Sequence, residues 1–179
     1  MRRRMMMAVL MAMGLARAAS AQDSFAELRV GGDPDRFVAE VTDLIAGFGG
    51  PQGLTAAGIE DHIALERAGA RASALRRLLA MDLDGDGALD RAELKVSQRA
   101  ASAAMRGRME RQFIAADGDG DGRISPVEMA EVGRTAALRA LGEAEAEALR
   151  ALMSLDRNGD AALTRDEVAA AIIPPDEAT

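Results

Sequence analysis

The stretch Asp82-Leu83-Asp84-Gly85-Asp86-Gly87 decides how this chain is to be read. It recurs 35 residues later as Asp117-Gly118-Asp119-Gly120-Asp121-Gly122. A looser copy, Asp156-Arg157-Asn158-Gly159-Asp160-Ala161, follows 39 residues after that. Self-similarity at such a period marks a chain built from repeated supersecondary units. Counting from the first Asp, each copy has an aliphatic residue at position 8 (Leu89, Ile124, Leu163) and a glutamate at position 12 (Glu93, Glu128, Glu167). A solvated acidic run has no reason to repeat that spacing.

The spacing has a chemical meaning. A hard cation such as Ca²⁺ takes about six to eight oxygen ligands. A short loop supplies them when alternate side chains turn inward and a long carboxylate closes the shell. In the first loop, Asp82, Asp84 and Asp86 hold positions 1, 3 and 5, and Gly87 permits the bend at position 6. Ala88 offers its backbone carbonyl, Asp90 acts through a water, and Glu93 chelates with both oxygens. In the second loop the same roles fall to Asp117, Asp119, Asp121, Gly122, the Arg123 carbonyl, Ser125 and Glu128. In the third they fall to Asp156, Asn158, Asp160, the Ala162 carbonyl, Thr164 and Glu167, with Ala161 in place of glycine. Holding Ala161 left-handed costs on the order of 1 kcal/mol. The third loop also carries one acidic charge fewer than the second and two fewer than the first. Affinity is expected to fall from the first loop to the third, which stands empty first at low calcium.

The flanks agree with this reading. Leu78 and Met81 precede the first loop, Phe113 the second, and Leu152 and Leu155 the third, each ending an incoming helix on its buried side. The outgoing helices begin with capping pairs, Asp90 with Glu93, Ser125 with Glu128 and Thr164 with Glu167. Pro126 falls at the first helical position, where its missing N–H costs nothing. Ligands and caps coincide, so metal binding should order the helix that follows. The position-8 residues are spaced for short β-bridges between paired loops.

These loops resemble those of the EF-hand family, over roughly Asp35 to Ile173. The resemblance implies an all-α fold of paired helix–loop–helix hands with short β-bridges between paired loops. Stepping back 35 residues from Asp82 reaches Gly47, and the stretch Gly47–Gly58 keeps Leu54 and Thr55 but has no acidic ligand. It reads either as a metal-free fourth hand or as a plain Gly-rich loop between helices. Four hands imply two lobes, residues 35–104 pairing the empty loop with 82–93, and 105–173 pairing 117–128 with 156–167. An alternative pairs the two strong loops and leaves the third loose.

Periodicity places the other helices. Phe37, Val41, Leu44 and Phe48 form one helical face. A helix from about Ile59 to Met81 is expected to bury Leu65, Ala68, Ala72, Leu75 and Leu79. Residues 22–34 read as a tether. Pro174-Pro175 ends the last helix and leaves 174–179 as a frayed tail.

The first 21 residues have the layout of a secretory signal: Arg2–Arg4, an apolar run from Met5 to Ala16, and Ala19-Ser20-Ala21 for cleavage after Ala21. An uncleaved amphipathic anchor is the alternative. The expectation is a periplasmic or secreted protein with no membrane insertion after cleavage. Four of the 22 basic residues lie in that segment, leaving 18 against 29 acidic side chains, a net of −11. That balance argues against nucleic acid or anionic membrane as partner. The chain has no cysteine, so disulfides play no part.

The use of calcium is less legible. Met105, Met109, Met129 and Met153 either line a recognition groove for a protein or peptide, or fill gaps in the core. The first case is a calcium-responsive interaction module; the second fits a buffer or a calcium-stabilised structural protein. An enzyme is not expected. His62 is the sole imidazole, in a helix far from the loops in sequence, and no nucleophile or phosphate-binding motif is present. Zn²⁺ would want His or Cys, and Mg²⁺ a stricter octahedron with more water.

Overall fold

A computed structural model describes residues 34–172. The signal, tether and tail inferred above lie outside that range, apart from Pro34. Seven helices are described, with two short strands between them. In chain order these are α1 Pro34–Phe48, α2 Ala56–Leu79, β1 Leu89–Asp90, α3 Arg91–Gln98, α4 Ala103–Ala116, β2 Arg123–Ile124, α5 Pro126–Ala140, α6 Glu143–Ala151 and α7 Arg165–Ile172. A 3₁₀ turn, Leu152–Leu155, joins α6 to the last loop. The fold is all-α with paired helix–loop–helix hands, as the resemblance implies.

The pairing of hands differs from the expected lobes. β1 and β2 are antiparallel neighbours, with Leu89 opposite Ile124 and Asp90 opposite Arg123. The first and second acidic loops are therefore partners. The third pairs with the empty loop through Leu54 and Leu163. The Leu54 N–H donates to the Leu163 carbonyl at 2.9 Å, and the Leu163 N–H donates back at 2.7 Å. The compact units follow suit. Residues 65–142 form one, and the described residues before 65 join those after 142 in the other. The expected boundary between 104 and 105 is thus corrected. The reason is helix length. The 24 residues of α2 run unbroken, and at 1.5 Å per residue they separate their ends by about 36 Å. Loops before and after such a helix cannot share a β-bridge.

Within 65–142 the core gathers Leu78, Met81, Leu89, Leu94, Phe113, Ala116, Ile124 and Met129, with Leu75, Met109 and Val132 packed on it. Phe113, Leu89 and Ile124 are sealed from solvent. Gly133 on α5 lets the helix approach α2 closely. A Cβ there would meet the Arg71 side chain at 3.0 Å. Arg91 lies over the Phe113 ring, its guanidinium carbon 4.2 Å from the centroid, and also pairs with Glu110 on α4.

In the other unit α1 packs on α7. Phe37, Val41, Leu44 and Ile45 supply the buried face of α1, and Leu54, Ile59, Ile63, Leu152, Leu163 and Val168 are buried in the same unit. Phe48 is half-buried and meets His62 edge-on, with ring centroids 4.9 Å apart.

The expected stripe on α2 is not the buried one. Leu65 and Leu79 are 61% and 48% exposed, and Ala72 is exposed too. The buried side chains are Ile59 and Ile63 in one unit and Ala74 and Leu78 in the other. A helix that serves two cores need not keep one face, so a single stripe was the wrong template for α2.

Candidate metal centres in the paired loops

The loops are folded by their own carboxylates. In 82–93, Asp82 accepts from the Gly85 and Gly87 N–H groups at 2.8 and 3.0 Å. Asp84 accepts from Asp86 N–H, and Asp86 from Ala88 N–H. These bonds turn the three side chains to one side, and carboxylate oxygens of Asp82, Asp84 and Asp86 lie within 4.8 Å of one another. The second loop repeats the pattern: Asp117 accepts from Gly122 N–H, Asp119 from Asp121 N–H, and Asp121 from Arg123 N–H. Here the group within 4.8 Å is Asp117, Asp119 and Glu128. Asp121 stands outside it, as Glu93 stands outside the first group.

Each position-12 glutamate folds back across its loop. One oxygen of Glu128 accepts from Gly118 N–H at 2.7 Å, while the other accepts from the Ser125 N–H and hydroxyl, both at 2.8 Å. Glu93 takes the Leu83 and Asp90 N–H groups in the same way. Glu167 takes those of Arg157 and Thr164, together with the Thr164 hydroxyl. The donors favour the ionised form. Glu128 is held below the usual glutamate range first by the Ser125 N–H, then by the Ser125 hydroxyl. Glu167 is lowered likewise by Thr164.

The position-9 residues double as helix caps. Asp90 accepts from the Ala92 and Glu93 N–H groups, and a reciprocal capping box joins it to Glu93. Ser125 and Glu128 form a second box, with Pro126 at the start of α5. Thr164 and Glu167 make the same exchange, and the Thr164 hydroxyl accepts from Glu167 N–H at 3.4 Å. In the empty loop Thr55 caps α2 by accepting from Gly58 N–H at 3.2 Å. Of the position-7 residues, Ala88 and Ala162 are buried and Arg123 is exposed on β2.

The third loop makes the same turn with fewer carboxylates. Asp156 accepts from the Gly159 and Ala161 N–H groups at 2.8 and 2.9 Å. Ala161 has φ 66, the one positive value at a non-glycine among the described residues. Asn158 donates its amide to Asp160 at 3.0 Å, so one oxygen of that carboxylate is already engaged.

Two further features shape the loops. Position 4 is glycine in all three loops, and Gly85, Gly120 and Gly159 each have φ 74. The repeat displays that signal as plainly as the one at position 6. The Arg123 side chain, which the spacing gives no part in its own loop, pairs with Asp86 across the β1–β2 contact. Nothing in the linear spacing could announce it.

The chemistry of the donor set fits a hard divalent cation. All the converging groups are carboxylates. One oxygen of Asp117 is buried with no hydrogen-bond partner. An unsatisfied buried acceptor costs roughly 1–3 kcal/mol, more when charged, and a cation at the loop centre removes that cost.

Neither the search of curated proteins nor that of solved structures found a match. A family model described as "EF hand" matches the chain at residues 75–96 and 109–132, which enclose the loops 82–93 and 117–128. Two such matches on one β-bridged pair of acidic loops support placing the chain in an EF-hand calcium-binding family.

Proposed function

We propose that this is an exported calcium-binding protein that acts as a calcium-responsive interaction module. Calcium is held at positions 1, 3, 5, 7, 9 and 12 of the loops 82–93 and 117–128. The third loop, 156–167, binds more weakly because it has fewer charges, a strained Ala161 and an Asp160 shared with Asn158. The loop 47–58 binds none and serves as the pairing partner of the third.

One observation carries the interaction reading. A groove of about 370 Å³ within the 65–142 unit is lined by Ala74, Leu78, Ala116 and Val132, and its wall includes Gly118 and Glu128 of the second loop. A loop residue that would close on calcium is thus also a groove residue. No methionine lines this groove, and Met129 and Met109 belong to the core or its edge. Arg77, Gln112, Glu131, Thr135 and Arg139 line it as well, so a partner meets small aliphatic side chains among charged and polar ones, not a methionine surface.

A second reading, buffering or structural calcium, draws on the position-12 glutamates. Each closes its loop through backbone N–H groups, so binding would rearrange little. Hydrophobic-dye fluorescence and hydrogen exchange with and without calcium decide between them. A large calcium-dependent gain in dye binding, with faster exchange around Leu78 and Val132, supports the module. Uniform slowing of exchange with unchanged dye signal supports the buffer. The exported location is tested by fractionation and by the mature N-terminus, expected at Gln22.

A further inference from the structure

Arg123 belongs by sequence to the second loop, but its guanidinium reaches Asp86, the position-5 carboxylate of the first. The Arg123 N–H donates to Asp121 of its own loop at 2.7 Å. Arg123 thus has its backbone in one loop and its charge in the other. The register makes this possible: Arg123 stands opposite Asp90 on the β1–β2 pair, and Asp86 lies four residues before Asp90. Asp86 has its other oxygen on the Ala88 N–H, so both of its oxygens are engaged.

The first loop offers five carboxylates, at Asp82, Asp84, Asp86, Asp90 and Glu93; the second offers four, at Asp117, Asp119, Asp121 and Glu128. On charge alone the first should bind calcium more tightly. A guanidinium on Asp86 offsets that surplus, because one carboxylate is neutralised and a positive charge is brought toward an incoming cation. We propose that Arg123 is a cross-loop tuning residue, which lowers the calcium affinity of the 82–93 loop and brings it level with the 117–128 loop. The inference rests on the reading of both loops as calcium sites. As a pair in the folded protein, Arg123 and Asp86 are half exposed and contribute little to stability. Against a divalent cation a few ångströms away, the same charge changes affinity by roughly three- to tenfold.

The test follows calcium titrations of the full chain by NMR, using the Gly87 and Gly122 amides as separate reporters of the two loops. In R123Q the Gly87 midpoint should fall three- to tenfold, and the Gly122 midpoint should move less. R123K keeps the charge and should restore most of the wild-type midpoint. The Gly87 difference between wild type and R123Q should shrink with added salt. An unchanged or higher Gly87 midpoint in R123Q overturns the proposal, as does an R123K protein that behaves like R123Q. If wild type shows no calcium response at Gly87, it is the calcium reading of that loop that fails.

Discussion

The pairing of hands makes a quantitative prediction through Ile124. This side chain is sealed from solvent and stands opposite Leu89 on the β1–β2 contact. Ile124→Ala removes three carbons from that core. Transfer alone accounts for about 0.8 kcal/mol per carbon, or roughly 2.4 kcal/mol. The cavity left behind raises the total to about 3–4 kcal/mol. Leu163→Ala should cost a similar amount, because Leu163 is equally sealed but pairs with Leu54. Double-mutant cycles then expose the partnership. Ile124→Ala with Leu89→Ala should depart from additivity by about 1 kcal/mol, since the two side chains share one core. Ile124→Ala with Leu163→Ala should add within about 0.5 kcal/mol. Stabilities come from urea denaturation, with hydrogen exchange assigning each loss to its unit. Calcium midpoints at Gly87 and Gly122 should both weaken in Ile124→Ala and hold within about twofold in Leu163→Ala, well under the tenfold that ~1.4 kcal/mol represents. Strong coupling between Ile124 and Leu163, or additivity between Ile124 and Leu89, would refute the pairing.

Other consequences follow from single residues. Ala161→Gly should leave stability within about 0.5 kcal/mol, because relief of left-handed strain is offset by a more flexible unfolded chain. Ala161→Val should cost about 1–2 kcal/mol by thermal denaturation, since a branched side chain suits φ 66 poorly. Ser125→Ala should cost about 1 kcal/mol for the lost cap, and should let the Glu128 carboxyl titrate closer to the usual glutamate range by NMR. Glu110 is held below that range chiefly by its hydrogen bond to Arg91. Its folded-state value is depressed, so the contribution is present above the unfolded glutamate value and lost as pH falls through the lowered one. Glu110→Gln should therefore differ from wild type by less than about 1 kcal/mol near neutral pH. The difference should vanish below the depressed value in an acid denaturation series.

Much of the site was legible because its determinants are local. A loop that turns inward must present oxygens at alternate positions, so Asp82, Asp84 and Asp86 announce themselves by spacing. Caps are local too, and Asp90 with Glu93 and Ser125 with Glu128 form the boxes their spacing implies. The two family matches fall on these same segments.

The tertiary structure decided which loops meet. Leu54, Leu89, Ile124 and Leu163 are all sealed aliphatic residues, and a β-bridge made by backbone groups does not distinguish among them. The length of α2 excludes one pairing but leaves Leu89 a choice between Ile124 and Leu163, which only the packed core settles. A helix of more than 20 residues was already implied by the pattern from Ile59 to Met81, and its length alone rules out a bridge between Leu54 and Leu89. The Arg123–Asp86 pair depends in turn on that choice of partners. The sequence by itself determined three acidic loops and their helices. The shared core of Leu89 and Ile124 determined that the loops 82–93 and 117–128 share one β-bridge, and with it that a charge from one reaches a carboxylate of the other.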